Sequence, residues 1–293
     1  MDFMDIIEIQ ISSSEYPLLL KQIHDPPKSL FVRGSVSLLQ HPHTLAVVGT
    51  RKCTAYGLSS TEKLASLAAE HDIVIISGLA RGIDGTAHKA ALKVHGKTIA
   101  VLGGGVDDSS IYPPEHKNLA NEIINSGGAV ISEYPPKSNI YKGNFVARNR
   151  IIIGLAKAVL VTEAPEKSGA LITANLAADY NRELLCVPGM ISNPAAVGTN
   201  KLIRDSGARV VLEIQDILEA FSILPKGAAK SAENSNFSNE QNILLKILSE
   251  NPLTISELAE KSQMEIPLIT SSLTTLELME KIVSHMDGRY SVK

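Results

Sequence analysis

The sequence has little cysteine, no tryptophan and no long apolar run, and these shortages exclude several classes of protein. Its two cysteines, Cys53 and Cys186, can form neither a disulfide framework nor a four-ligand zinc site. The longest apolar stretches have the length of a strand, whereas a membrane-spanning helix needs about 20 apolar residues. Asp2, Asp5 and Glu8 lie where a secretory signal would have its basic start. We therefore expect a cytoplasmic protein without a membrane segment.

The chain also lacks an excess of basic residues. Its formal net charge is −3 at pH 7 over 293 residues, whereas many DNA-binding domains are strongly basic. A nucleic-acid site would therefore have to be a local patch. Between Glu133 and Glu163 there is no acidic residue, and the basic residues there are Lys137, Lys142, Arg148, Arg150 and Lys157. On charge alone, this acid-free stretch is equally compatible with an ordinary solvated face.

The residue pattern divides the chain into four parts. Residues 1–43 are a lead-in segment with turn-forming prolines, and residues 44–224 alternate strand-like with helix-like stretches. Residues 225–237 are small and polar, which predicts a linker, and residues 238–293 form a separate tail domain. The second part is long enough for one large α/β domain.

Strand-like runs in the second part are apolar throughout. They are Leu45–Gly49, Ile73–Gly78, Thr98–Gly103, Ala129–Glu133, Ala158–Glu163, Leu184–Gly189 and Arg209–Glu213. The helix-like stretches between them are 57–71, 84–95, 115–127, 147–156, 168–181 and 198–206. Apolar strands that alternate with helices predict a parallel sheet covered on both faces. We therefore predict a Rossmann-like, doubly wound α/β domain with a mostly parallel sheet.

Several of the predicted strands end in glycine, namely Gly49, Gly78, Gly103 and Gly189. Glycine lets the backbone turn sharply and approach a ligand closely. Ligands of doubly wound sheets bind outside the carboxyl ends of the strands. Tight turns alone would explain one or two of these glycines, but four favour a pocket at that edge of the sheet.

Gly49, Thr50 and Arg51 follow the first strand, shortly before a helix that we expect to begin near Gly57. Turns of this kind bind anions because the backbone amides and the helix dipole point at the anion. An arginine adds a bidentate contact to a phosphate. The spacing matches neither the G-x-x-x-x-G-K-[ST] loop nor the G-x-G-x-x-G fingerprint. A surface ion pair is the alternative role for Arg51.

Two further turns repeat this design. Gly78 and Arg81 follow the second strand, with Asp84 as the predicted N-cap of the next helix. Ser168 and Gly169 open another apolar helix and again present a hydroxyl and backbone amides. Three anion-binding turns at one edge of a sheet suit a polyanion such as a nucleic acid.

The acid-free stretch precedes the fifth strand and should lie near the same edge. It contains Lys142, Phe145, Arg148 and Arg150, although only 4% of the chain is aromatic. Cations next to aromatic rings suit unstacked bases and their phosphates. A simple core position is the alternative for Phe145.

No catalytic motif accompanies these turns. The sequence has no G-x-S-x-G, no H-E-x-x-H and no Cys/His cluster. We expect Asp107 and Asp108 to form a polar loop, and His88 to be a packed residue rather than a catalyst. The pattern therefore favours a binding protein that is not an enzyme and has no cofactor or metal.

The order of these segments resembles the DNA-processing protein A family, also called Smf. The resemblance covers residues 16–222 and is carried by YPLLLKQIHDPPKSLFVRG (16–34), VVGTRKCTAYG (47–57), ISGLARGIDGTAH (76–88), IAVLGGGVD (99–107), YPPEH (112–116), ISEYPP (131–136), NFVARNRIIIGL (144–155), VTEAPEKSGALITANLA (161–177), VPG (187–189) and GTNKLIRDSGA (198–208). So many motifs in the same order make a chance match a poor explanation.

The resemblance implies a protein that binds single-stranded DNA, protects incoming strands during natural transformation and loads the recombinase RecA. It implies homodimers formed through the Rossmann-like domain and no catalytic residue. The strand would contact the G-[ST]-R motif, the K-x-x-F element and the R-N-R pair, matched here by Gly49, Thr50, Arg51, Lys142, Phe145, Arg148 and Arg150. Many members begin with a helical N-terminal domain, for which the 15 residues before Tyr16 are too few.

The tail independently predicts a winged helix. A helix over Asn239–Glu250, a helix that begins near Thr254 and a longer helix over Pro267–Lys281 precede a hairpin with its turn at Asp287 and Gly288. The would-be recognition helix has no basic residue before its last position. Because DNA phosphates bind positively charged side chains, we favour a protein-interaction or accessory role for the tail over binding in a DNA groove.

Two other functions compete with single-strand binding. A nucleotide-binding sensor or nucleotide-processing enzyme would use the same glycine turns, but a small ligand needs fewer cations than the acid-free stretch supplies. A transcriptional regulator would act through the tail, where the uncharged recognition helix disfavours it.

Overall fold

The computed structural model describes residues 6–223 and 237–292, except residues 250, 280 and 286. These form two compact units, one within residues 1–225 and one within residues 226–293. The predicted linker at 225–237 lies outside the described residues, apart from Phe237. No helix in the described ranges is long and apolar enough to cross a membrane.

A nine-stranded sheet organises the larger unit. Its strands are β1 (Ile7–Gln10), β2 (Ser29–Gly34), β3 (Thr44–Val48), β4 (Val74–Ser77), β5 (Thr98–Val101), β6 (Ala129–Ser132), β7 (Ala158–Val161), β8 (Glu183–Cys186) and β9 (Arg209–Val210). Their spatial order is β1-β2-β6-β5-β4-β3-β7-β8-β9. From β6 to β9 every neighbouring pair is parallel. The order reverses at β3, which lies between β4 and β7, and doubly wound sheets bind their ligands at such a switch point.

The predicted α/β fold class is confirmed. Every residue of β3, β4, β5, β6 and β7 is buried, which is why these strands are apolar without alternation. Leu45 and Val47 of β3 pack into one apolar cluster, and Ala46 and Val48 pack into another on the opposite face. Both faces of the sheet therefore carry part of the core.

Helices cover these two faces. The helices of the larger unit are α1 (Leu18–Lys21), α2 (Ala55–Glu70), α3 (Ile83–Lys93), α4 (Lys117–Asn125), α5 (Lys142–Ala147), α6 (Asn149–Leu155), α7 (Gly169–Asp179), α8 (Val197–Asp205) and α9 (Ile214–Ala220). Residues of α2, α3 and α9 join the cluster of Leu45 and Val47. Residues of α6 and α7 join the cluster of Ala46 and Val48.

The lead-in segment supplies two strands of the same sheet. β2 pairs antiparallel with β6, and β1 pairs antiparallel with β2. Tyr16 is 1% exposed, and its hydroxyl donates to the Pro27 carbonyl at 2.7 Å. Leu20 and Leu30 are fully buried in the same cluster. The segment is therefore anchored in the core of the larger unit.

The prediction that Asp84 caps α3 is wrong. Gly82 occupies the N-cap position with a φ of 76°, and no side chain caps the helix there. Asp84 lies in the first turn instead, and its carboxylate accepts a hydrogen bond from the Gly78 amide at 3.1 Å. The carboxylate thus ties the helix back to the end of β4.

The smaller unit has the predicted winged-helix order. Its helices are α10 (Asn239–Leu248), α11 (Ile255–Ser262) and α12 (Ile266–Leu278), and its strands are β10 (Leu253–Thr254), β11 (Ile282–Ser284) and β12 (Arg289–Val292). β12 pairs antiparallel with both β10 and β11. Capping boxes at Ser238 and Thr254 begin α10 and α11, because each hydroxyl accepts from the amide three residues later.

Candidate nucleic-acid interface

Turns after β3, β4 and β7 meet the start of α6 around one opening at the switch point. This opening, the main cleft, has a volume of about 320 Å³. Among the predicted site residues, it is lined by Gly49, Thr50, Arg51, Phe145, Arg148, Ser168 and Gly169. The three anion-binding turns expected from the sequence therefore lie close together.

A second opening, the side cleft, adjoins the main cleft. Its volume is about 230 Å³, and its lining comprises Arg51, Lys52, Gly78, Ala80, Arg81, Tyr112, Pro113 and Phe145. Arg51, Ala80 and Phe145 line both clefts. All predicted site residues except Lys142 and Arg150 thus line at least one of them.

Arg51 and Phe145 form the wall between the two clefts. The guanidinium carbon of Arg51 lies 5.4 Å from the centroid of the Phe145 ring. On the side cleft, the Tyr112 ring lies 5.4 Å from the Phe145 ring at an interplanar angle of 49°. A positive charge thus lies beside one aromatic ring, and a second ring packs against the first, an arrangement suited to a phosphate and an adjoining base.

Arg148 forms the floor of the main cleft. It is 3% exposed, donates to the Val101 carbonyl, and donates through Nε to Asn149 at 3.1 Å. Its Nη2 lies 3.9 Å from the Asp84 carboxylate. Burial lowers the pKa of Arg148 to about 10, although Asp84 raises it. Arg148 is therefore a cation at neutral pH.

The Asp84 carboxyl group is buried beneath the same floor. Burial raises its pKa, whereas the charge of Arg148 and hydrogen bonds from the amides of Ala80 and Gly78 lower it. Both pKa shifts favour the neutral form of the group, because desolvation is the largest cause for Asp84 and for Arg148. An anion that enters the main cleft would give the buried guanidinium a second counter-charge.

At the start of α2 the amides of Thr54 and Gly57 already have partners within the fold, contrary to expectation. The carboxylate of Glu163 accepts from the backbone amide and the hydroxyl of Thr54, both at 2.7 Å. Its carbonyl accepts from the Thr50 amide at 2.8 Å. The N-terminus of α7 also lies beside the main cleft, where the Ser168 hydroxyl accepts from the Ala170 amide at 3.2 Å. No described atom lies within 4 Å of the position of a Cβ on Gly169.

The remaining predicted site residues lie elsewhere. Arg150 donates to both carboxylate oxygens of Glu133 at 2.8 and 2.7 Å, and to Asp25 at 3.2 Å. Its side chain is 16% exposed and lines neither cleft. Lys142 is exposed in the first turn of α5 and also lines neither cleft.

Two lysines and a tyrosine that line the clefts were not singled out from the sequence. Lys167 lines the main cleft, and Lys52 and Tyr112 line the side cleft. Both lysines are adjacent in sequence to a predicted anion-binding turn, and this adjacency could have identified them as site residues. The approach of Tyr112 to Phe145 has no local signal, because 32 intervening residues, 113–144, separate them in the chain.

Two family models match the chain. The model for DNA recombination-mediator protein A matches residues 8–222, and the model for the DprA winged helix domain matches residues 227–288. Protein Smf of Escherichia coli strain K12 is 39% identical over 277 residues, which are 92% of this chain and 73% of that protein.

Comparison with solved structures points to the same family. DNA processing protein A from Streptococcus pneumoniae superposes with a TM-score of 0.68 at 42% identity, over 74% of this chain and 75% of that one. DNA processing protein A from Helicobacter pylori, described for its single-stranded DNA binding mode, has a TM-score of 0.66 at 32% identity over 73% of this chain and 95% of that one. The chain belongs to the DNA recombination-mediator protein A family.

Proposed function

We propose that this protein binds single-stranded DNA in the main and side clefts, without catalysis, and delivers it to the recombinase RecA. One observation carries the DNA-binding part: Arg148 is buried at the floor of a cleft whose rim carries Arg51 and Lys167. A buried cation beneath two exposed cations attracts an anion strongly, because screening by water is weak there.

The charges around the clefts favour a polyanion. Arg51, Lys52, Arg81, Arg148 and Lys167 line them, and Asp84 is the only carboxylate among the described lining residues. Arg81 is paired with the Glu115 carboxylate, which is not part of either lining. The other cations can each meet a phosphate of a nucleic-acid backbone.

The wall of Arg51 and Phe145 favours a single strand over a duplex. Aromatic rings contribute to binding when bases stack on them, and bases inside a duplex are already stacked on each other. Tyr112 lines only the side cleft, whereas the buried Arg148 and the exposed Lys167 line only the main cleft. We assign the phosphates to the main cleft and an unstacked base to the side cleft.

A nucleotide-binding sensor or nucleotide-processing enzyme is the competing function. A single nucleotide would engage one cleft, whereas here two clefts share Arg51, Ala80 and Phe145 and form a continuous surface. The Helicobacter pylori relative, described for its single-stranded DNA binding mode, supports the polymer. We therefore place the DNA contacts in the Rossmann-like domain of residues 44–224.

Family membership supports the wider role. We propose that the protein acts in natural transformation, forms homodimers through the Rossmann-like domain and works in the cytoplasm, where its free thiols Cys53 and Cys186 would stay reduced. We assign the winged helix an accessory or protein-interaction role. Its α12 spans Ile266–Leu278 and has no basic residue, which disfavours contact with phosphates.

Fluorescence anisotropy with labelled oligo-dT tests the DNA-binding proposal. Affinity should fall steeply between about 50 and 200 mM salt, because phosphate contacts release counterions. Arg51→Ala should weaken binding at least about tenfold, since a charged hydrogen bond to phosphate is lost. Arg209→Ala, which removes an arginine outside both clefts, should bind like the wild type. Equal affinity for a blunt duplex would refute the proposal.

A further inference from the structure

Glu163 lies at the carboxyl end of β7 and is 1% exposed. Its Oε2 accepts from the Thr54 amide at 2.7 Å, and its Oε1 accepts from the Thr54 hydroxyl at 2.7 Å. A buried carboxylate is costly unless charge-assisted hydrogen bonds satisfy it. Here both oxygens bind the residue that caps α2.

The backbone of Glu163 holds the other end of the same loop. Its carbonyl accepts from the Thr50 amide at 2.8 Å. A Cβ on Gly49 would lie only 2.9 Å from that carbonyl oxygen, so the chain passes very close to Glu163 at this point. Residues 50–54, which include Arg51 and Lys52, are thus bound to Glu163 at both ends.

The first turn of α2 also packs directly on the carboxylate. A Cβ on Gly57 would lie 2.5 Å from Oε2 of Glu163. A negative charge at the N-terminus of a helix interacts favourably with the helix dipole. Glu163 therefore supplies from within the fold the anion that the N-terminus of α2 would otherwise attract.

We propose that Glu163 is a positioning residue for single-stranded DNA, because it holds the loop of residues 50–54 so that Arg51 faces both clefts. This inference rests on the proposed function. Glu163 lines neither cleft and acts on the strand only through Arg51 and Lys52.

Electrostatics and positioning predict opposite effects of removing this charge. A negative charge beneath an anion site repels phosphate, so its neutralisation alone would strengthen DNA binding. Loss of the loop anchor would weaken binding, because Arg51 would no longer be held towards the phosphate. The sign of the change separates a positioning residue from a buried charge without a role in binding.

Glu163→Gln provides this test. The amide oxygen of glutamine can still accept from the Thr54 amide, but its NH₂ group can only donate to the Thr54 hydroxyl, which therefore loses its acceptor. We expect oligo-dT binding to weaken about tenfold, since one half-buried donor of the loop anchor loses its acceptor. The salt dependence should become shallower, because Arg51 leaves its phosphate.

Glu166→Gln is the matched control. Glu166 is three residues away, is exposed, and pairs with Lys201 rather than with the loop. The substitution removes the same charge near the main cleft and leaves residues 50–54 anchored. We expect its oligo-dT affinity to be equal to or higher than that of the wild type.

Gly57→Ala is a second route to the same outcome. Alanine favours a helix over glycine, but its Cβ would displace the Glu163 carboxylate. We expect weaker binding from a protein that still melts cooperatively, and this variant decides the question if Glu163→Gln does not fold. The inference is refuted if the wild type binds oligo-dT and the folded variants bind equally well or better. The proposed function fails instead if the wild type does not bind oligo-dT.

Discussion

The guanidinium of Arg148 occupies the space that a side chain on Gly78 would need. A Cβ on Gly78 would overlap the terminal atoms of Arg148, and the Gly78 amide donates to Asp84 beneath it. Gly78 thus lets a buried cation lie against the end of β4, and this contact forms the floor of the main cleft.

The first prediction concerns this contact. Gly78→Ala should destabilise the protein by about 2 kcal/mol, because a well-packed site gains an atom that it cannot accommodate. Oligo-dT binding should weaken as well, since Arg148 must move. Urea unfolding and anisotropy measure the two effects. Gly143→Ala is the control, because a Cβ there would contact nothing within 4 Å beyond its own neighbours in the described chain. A wild-type result for Gly78→Ala would contradict the contact.

The second prediction concerns the ring between the clefts. Phe145→Ala should weaken oligo-dT binding by about 1–3 kcal/mol, the range for loss of one base–aromatic stack, and should leave the melting temperature close to that of the wild type because Phe145 is only half-buried. Tyr141→Ala removes a ring that is 64% exposed and lines neither cleft. If both substitutions reduce affinity equally, the assignment of a base to the side cleft is wrong.

The third prediction separates Arg150 from the DNA site. Arg150→Ala should lower the free energy of unfolding by about 2 kcal/mol, because the mostly buried Glu133 carboxylate loses its bidentate ion pair with Arg150. Its affinity for oligo-dT should match that of the wild type, in contrast to Arg51→Ala. Chemical denaturation and anisotropy on the same preparation test this. A large loss of affinity with unchanged stability would return Arg150 to the DNA-binding set.

The fourth prediction concerns acid stability. His88 is fully buried, and burial, followed by the charges of His116 and Arg148, lowers its pKa to about 3. Its Nδ1 lies 2.6 Å from the Thr98 hydroxyl, and its Nε2 has no hydrogen-bond partner among the described residues. The folded protein therefore keeps this histidine neutral, whereas the unfolded chain protonates it below a pH of about 6.5.

Stability should consequently fall as the pH falls below about 6.5, by up to about 1.4 kcal/mol per pH unit from this residue, down to its folded pKa. Urea unfolding between pH 7 and pH 4 measures the slope. In His88→Asn the free energy of unfolding should depend less steeply on pH, because unfolding takes up about one proton fewer. An unchanged slope would show that His88 is protonated in the folded protein.

The central strands could be predicted because they are buried on both faces. Thr98–Gly103 was predicted as a strand, and β5 covers Thr98–Val101, so the difference lies at the end where the chain turns. The sequence does not predict β2, because Ser29–Gly34 is not apolar throughout and its place depends on pairing with β6. A local pattern reports burial but not a partner distant in the chain.

The candidate site likewise contains residues that the sequence can identify and residues whose role it cannot. Gly49, Thr50 and Arg51 could be found because a glycine at a strand end and an arginine before a helix are local signals. Arg148 and Arg150 lie two positions apart in one motif, yet one lines the main cleft and the other pairs with Glu133 and Asp25. Neither the motif nor the net charge distinguishes these two arginines.

By itself, then, the sequence determined the α/β fold, the winged-helix order of the tail and the turns around the clefts, because all of these follow from burial and backbone preferences within short stretches. Only the tertiary structure decided which charges face the clefts. Glu163 meets Thr54 across 109 positions and Arg150 meets Asp25 across 125. The partner of a charged side chain depends on which distant segments the fold brings within hydrogen-bonding distance.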